Sequence, residues 1–279
     1  MVALSPPLNR RLPGPTIMLG LVGLLAAASV LSLTTGAAGL GAGDLLAVLW
    51  GEGLSVRDKV VLFDIRLPRL ALGMAVGAAL AVSGVLLQGL FRNPLADPGI
   101  VGVSAGAGLG AVLAIVLGGL LPAAVIASVG PALIPLAAGL GGWLTTLVLY
   151  RVATSGQRTD VALMLLAGIA LAALAGAATG VLTYVADDRQ LRDLTFWGMG
   201  SLAGATWGKL AAALPVMAVT LLVAPRLARG LNALALGEAQ AAHMGIDVQV
   251  LKRVAILLAA AATGSAVAIS GGIGFIGLV

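Results

Sequence analysis

The chain has 279 residues, of which 60% are hydrophobic and 10% charged. Soluble domains carry about 25% charged residues, so the composition excludes an ordinary water-soluble globule. Cysteine is absent, which excludes disulfides, thiolate metal sites and cysteine nucleophiles. The net charge of +5 reads as orientation information for a membrane protein rather than as a nucleic-acid footprint.

The charges are unevenly spread. No Asp, Glu, Lys or Arg occurs from Pro98 to Tyr150, from Val161 to Ala186 or from Val254 to Val279. Uncharged apolar runs longer than about 18 residues read as membrane spans. In chain order the spans are expected at 15–36, 67–91, 99–118, 123–150, 161–186, 207–225 and 253–270, with an eighth opening near Gly272. A short amphipathic segment at 190–203 precedes the sixth. Arg10 and Arg11 ahead of the first run imitate a signal peptide, but that run is long enough to span and many others follow, so it is read as retained. The whole of 1–279 is expected to form one transmembrane domain.

An N-terminus in the cytoplasm puts 9 basic residues inside, among them Arg92, Arg151, Arg158, Arg226, Arg229, Lys252 and Arg253, against 7 outside. The positive-inside bias therefore favours this orientation. The outer arginines, which that bias does not explain, ask for a separate reason.

The span interiors carry no ionisable residue. A proton or ion relay needs such residues at membrane depth, so a proton-coupled secondary transporter is the disfavoured alternative; a nontransporting membrane scaffold is another. No charged ring or repeated filter suggests a channel. The only histidine, His243, lies between spans, so no catalytic residue, metal site or enzymatic activity is expected. Gly204-Ala-Thr-Trp-Gly208-Lys209 has the wrong spacing for a phosphate-binding loop and is followed by Leu210; ATP, if used, is bound by another chain. There are 40 glycines against 10 aromatic residues. Small residues let helix backbones approach in lipid, and the pairs Gly73/Gly77, Gly102/Gly106/Gly110 and Gly176/Gly180 are expected to make helix contacts within the subunit.

Between spans two and three the chain reads Gln88-Gly-Leu-Phe-Arg92-Asn93-Pro94-Leu-Ala-Asp97-Pro98-Gly99, followed by Val101-Gly-Val-Ser-Ala-Gly-Ala107. Asn93-Pro94 and Asp97-Pro98 break the helix, and a helix restarts beyond them. This wording resembles the FecCD-type permeases of iron-chelate, haem and vitamin B12 ABC importers. Three more segments match in the same order: Ile65-Arg66-Leu-Pro-Arg69, then Leu231 to Gly245, then Ser270-Gly-Gly-Ile-Gly-Phe-Ile-Gly-Leu-Val279.

The resemblance implies an all-α polytopic helix bundle of the type II ABC importer permease kind. That fold has ten spans, of which about seven and a half are present; after Val279 the family continues with a Pro-His segment and two further spans, so the sequence is expected to end inside the fold. It implies a cytoplasmic coupling segment at 228–247, with Asn232, Leu234, Leu236, Gly237, Glu238, His243, Met244 and Gly245 meeting an ATPase subunit. It implies that Arg66 and Arg69, with Arg189 and Arg192, meet carboxylates of a periplasmic binding protein. The stretch Tyr184 to Ser201 resembles the haem-importing branch, with Tyr184, Phe196, Trp197 and Met199 offering apolar or polarizable surface to a macrocycle at the pathway entrance. Trp197 and Trp207 read equally as interfacial anchors. The resemblance thus implies a homodimer in the bacterial inner membrane with haem as cargo, a ferric siderophore or cobalamin as the alternative, and ATP with magnesium on the partner ATPase.

Overall fold

The computed structural model describes residues 13–274 apart from 37–38, 40, 42, 45–49, 51–53 and 157. Arg10, Arg11 and residues 275–279 of the glycine-rich motif, where the eighth span was expected to run, lie outside the described residues. Among those described, seven helical stretches are long and apolar enough to cross a membrane: Gly14–Thr34, Val56–Phe91, Val103–Leu120, Ala123–Ala153, Val161–Val185, Trp207–Ala235 and Val248–Ser270. The helices are labelled α1 (Gly14–Thr34), α2 (Val56–Phe91), α3 (Val103–Leu117), α4 (Ala123–Val129), α5 (Leu133–Ala153), α6 (Val161–Val185), α7 (Asp188–Met199), α8 (Trp207–Ala235), α9 (Glu238–His243) and α10 (Val248–Ser270). One ribbon, absent from the sequence reading, interrupts the helices: β1 (Thr154–Ser155) pairs antiparallel with β2 (Arg158–Thr159).

Helix starts follow side-chain caps. Asp160 accepts from the backbone N–H groups of Ala162 and Leu163, Asp247 from Gln249 and Val250, and Thr206 from Lys209. Each satisfies donors that have no partner within the helix. The look-alike of a phosphate loop at 204–209 is therefore a helix start, and Lys209 Nζ turns back to the Gly204 carbonyl at 2.8 Å. Asp187 and Gln190 close a reciprocal capping box on α7.

Packing separates the chain into two units, Met1–Leu70 and Ala71–Val279. In the first, α2 begins at Val56, eleven residues before the expected entry at 67. Pro68 cannot donate to the Asp64 carbonyl and its ring crowds that oxygen. The helix absorbs this with a π segment over Val61–Arg66 instead of breaking.

In the second unit α10 is the most buried long helix. It packs against α8, α5 and α3, and hydroxyls from two neighbours reach its middle: Ser83 Oγ to the Ala259 carbonyl at 3.3 Å and Thr220 Oγ1 to the Leu258 carbonyl at 3.2 Å. One core joins Leu72, Val76 and Leu80 to Leu210, Met217, Ala262 and Ala266. A second, at the ribbon end, joins Leu86, Leu87 and Leu90 to Leu149, Met164, Leu234 and Ile256. Helices α3 and α5 come closest together, because Gly106 and Gly110 lie against Gly141, Thr145 and the Ala137 carbonyl with no space for a Cβ. In the other two spacings only Gly73 has a near neighbour, the Leu202 side chain. Gly77, Gly176 and Gly180 have nothing within 4 Å of a would-be Cβ, so the expected contact within the subunit is not made there.

Candidate functional site

Two ends of the second unit carry the polar chemistry. At the ribbon end, α8 runs on to Ala235, ten residues past the span expected to stop at 225. A turn at Gly237 (φ 120°) leads into α9, and Gly245 (φ 81°) leads out of it; both are conformations in which glycine carries no Cβ penalty. Leu234 is 1% exposed and belongs to the core, so it anchors the segment and is not on a contact surface. Leu236 (68% exposed) and Met244 (54%) are on the surface, as are Asn232, Glu238 and His243. Beside α9 an open cavity of about 1010 Å³ is lined by Arg92, Arg158, Asp160, Glu238 and Lys252, among others.

Lys252 is the residue that sequence reasoning missed. Counted there only as an inside charge, it is 2% exposed. Its Nζ donates to the Thr159 carbonyl at 2.9 Å and to Glu238 Oε1 at 2.7 Å. The ribbon is drawn in further by Gln249 Oε1, which accepts from the Thr159 N–H at 2.9 Å. The signal was present: once Asp247 is taken as the cap, Lys252 falls in register with Val248, Leu251, Ala255, Ile256 and Ala259 on the buried face. Starting the span at 253 hid that register.

In the loop after α2, Arg92 has φ 51°, Asn93 Oδ1 accepts from the Leu95 N–H at 2.9 Å, and Asp97, itself buried, accepts from the Gly99 N–H at 2.7 Å. Asp97-Pro98 opens a 3-10 turn over Pro98–Val101, and Gly102 (φ 79°) hands the chain to α3. The motif Gln88 to Pro98 is thus a turn built by two side-chain caps, with Gln88 half-buried and Pro94 exposed.

The opposite end is formed by α7 and the C-terminus of α10. Leu191, Leu194 and Trp197 are half-buried, while Arg189, Arg192, Phe196 and Met199 are exposed; Tyr184, at the end of α6, is 91% exposed. The glycine motif at 270–274 docks here. The Trp197 carbonyl accepts from the Gly272 N–H at 2.9 Å, and the Ser201 N–H donates to the Ser270 carbonyl at 2.7 Å. Gly271 has φ 76° and a Cβ there would lie 2.5 Å from the Trp197 oxygen. Close backbone approach is therefore what this motif needs glycine for. Trp197 also lines two clefts, of about 440 and 280 Å³.

In the first unit the two arginines of Ile65-Arg66-Leu-Pro-Arg69 divide. Arg66 is 7% exposed and donates to the Leu33 carbonyl, so it ties α2 to the end of α1 and does not present a docking charge. Arg69 is exposed. Among the described residues no three His, Cys, Asp or Glu side chains come together as a metal site.

Long apolar helices, a polar segment at one end and an amphipathic helix at the other define a membrane permease of the type II ABC importer kind. The chain belongs to the FecCD transport family, whose profile matches residues 24–279. The hemin transport system permease protein HmuU of Yersinia pestis is 42% identical over 269 residues, 95% of this chain and 77% of that protein. The cobalamin import system permease BtuC of Halobacterium salinarum is 43% identical, over 81% of this chain and 59% of that protein. The vitamin B12 permease BtuC of Klebsiella pneumoniae is 38% identical, over 82% of this chain and 66% of that protein. The chain thus spans less than two thirds of the length of both BtuC proteins. A solved inward-facing structure, assigned to the metal-chelate type of ABC transporter, superposes with a TM-score of 0.81 at 32% identity, covering 95% of this chain and 79% of that one.

Proposed function

We propose that this chain is the transmembrane permease subunit of an ABC importer and that its cargo is haem. The observation that carries the cargo is the 42% identity to a hemin permease along 95% of the chain. The exposed Tyr184, Phe196 and Met199 beside Arg189 and Arg192 support it, since they combine polarizable surface with charge suited to propionates. A ferric siderophore or cobalamin is the second reading, favoured by the comparable identity to a cobalamin permease.

The subunit works as a homodimer in the bacterial inner membrane, N-terminus inside, with two ATPase chains that bind ATP and magnesium and with a periplasmic binding protein. The segment 228–247 takes up the movement of the ATPase through Asn232, Leu236, Gly237, Glu238, His243, Met244 and Gly245. Arg69, and separately Arg189 and Arg192, meet carboxylates of the binding protein. Membership of the FecCD family supports the ATP-driven class over the proton-coupled one.

Reconstitution in liposomes with a partner ATPase and a periplasmic binding protein tests this. Haem should enter with ATP and not with a proton gradient alone. ATP-driven uptake of cobalamin or a ferric siderophore, with none of haem, would reassign the cargo; uptake driven by the gradient without ATP would remove the class.

A further inference from the structure

Lys252 is the largest fully buried side chain among the described residues, and lysine is almost never fully buried unless paired. Its ammonium joins three pieces of chain: α10, on which it sits, β2 through the Thr159 carbonyl, and α9 through the carboxylate of Glu238. The remaining attachment of α9 is slight. Ala241 is its one buried residue, glycines of positive φ flank it on both sides, and six residues are too few for a helix to hold itself.

We infer that Lys252 is a positioning residue that latches α9 to α10 and the ribbon, so that all three move as one body. The inference rests on the reading of 228–247 as the segment that receives the ATPase's movement. A short helix free to pivot at Gly237 and Gly245 would absorb a displacement locally. Pinned at Glu238 by a charge-assisted bond to a shielded ammonium, it passes that displacement to α10. From there the path is continuous: α10 is held at mid-length by Ser83 and Thr220 and ends against the backbone of α7.

The absence of cysteine allows a direct test on the full chain in nanodiscs. A spin label at Ala239→Cys reports on α9 and one at Val250→Cys reports on α10. In Glu238→Ala and Lys252→Met the α9 label should lose its immobilised component while the α10 label keeps its spectrum. Glu238→Gln, which retains an accepting oxygen, should leave both labels immobile. An α9 label as immobile in Glu238→Ala as in the parent overturns the latch. Should Lys252→Met release both labels, the fold has loosened and the surface variant Glu238→Ala decides alone.

In the complex with its ATPase, Lys252→Met, whose side chain lies outside the contact surface, should copurify normally yet lose about tenfold of the stimulation by loaded binding protein, within the usual range of coupling between linked sites. Full stimulation with a mobile α9 also overturns the inference. Failure of the underlying coupling reading looks different: the parent protein itself would not alter hydrolysis by the ATPase, whatever the labels report.

Discussion

At the scale of single residues, burial separates side chains that the sequence places side by side. Gly110 and Gly180 both belong to four-residue glycine spacings, yet only Gly110 meets a neighbouring backbone. Gly110→Ala should cost about 1–3 kcal/mol by overpacking, whereas Gly180→Ala should stay within about 0.5 kcal/mol. Detergent unfolding of the two variants measures the difference; equal losses would mean that α3 and α5 do not approach as described. Arg66 and Arg69 divide in the same way. Charge reversal at Arg69, or at Arg189 with Arg192, should weaken association with the binding protein at low salt and less so at high salt, as expected of rim charges. Arg66→Gln should lower thermal stability and leave that salt dependence as it was. Surface-plasmon titrations at two ionic strengths would show either pattern.

At the scale of elements, the continuation of α8 past the expected end of its span matters most. It carries Leu234 into the core and leaves Leu236 outside within the same turn. Leu234→Ala should therefore cost about 2–5 kcal/mol as a large-to-small core change. Leu236→Asp with Met244→Asp should leave the melting temperature unchanged and abolish copurification with the ATPase. The reverse result, a stable Leu234→Ala that loses the ATPase, would return Leu234 to the contact surface. The helix ends themselves were readable in the sequence wherever a cap was taken into account. Asp160, Asp187, Thr206 and Asp247 each precede a helix by one position, and the boundary at 253 was misplaced because apolarity was followed and Asp247 was not. The entry expected at 67 lies inside a longer helix, because a π segment over Val61–Arg66 accommodates Pro68.

At the scale of the whole molecule, sidedness is the property most open to direct measurement. With no native cysteine, single cysteines at exposed Asn232 and Arg189 can be labelled with a membrane-impermeant maleimide on intact spheroplasts. Label should reach position 189 and reach 232 only after permeabilisation; the opposite pattern would invert the proposed orientation. The sequence by itself determined that the chain lives in a membrane, because uncharged runs of this length have no other stable solvent, and it determined the family, because four ordered motifs recur along it. Only the tertiary structure decided which charges are available. Arg66 looks like a solvated cation in one dimension and Lys252 shows there only the register of a buried face, not its partners; each is buried against a carbonyl contributed by a segment far along the chain. Burial is a property of what packs around a side chain, and no local pattern encodes the arrival of Thr159 and Glu238 at one ammonium.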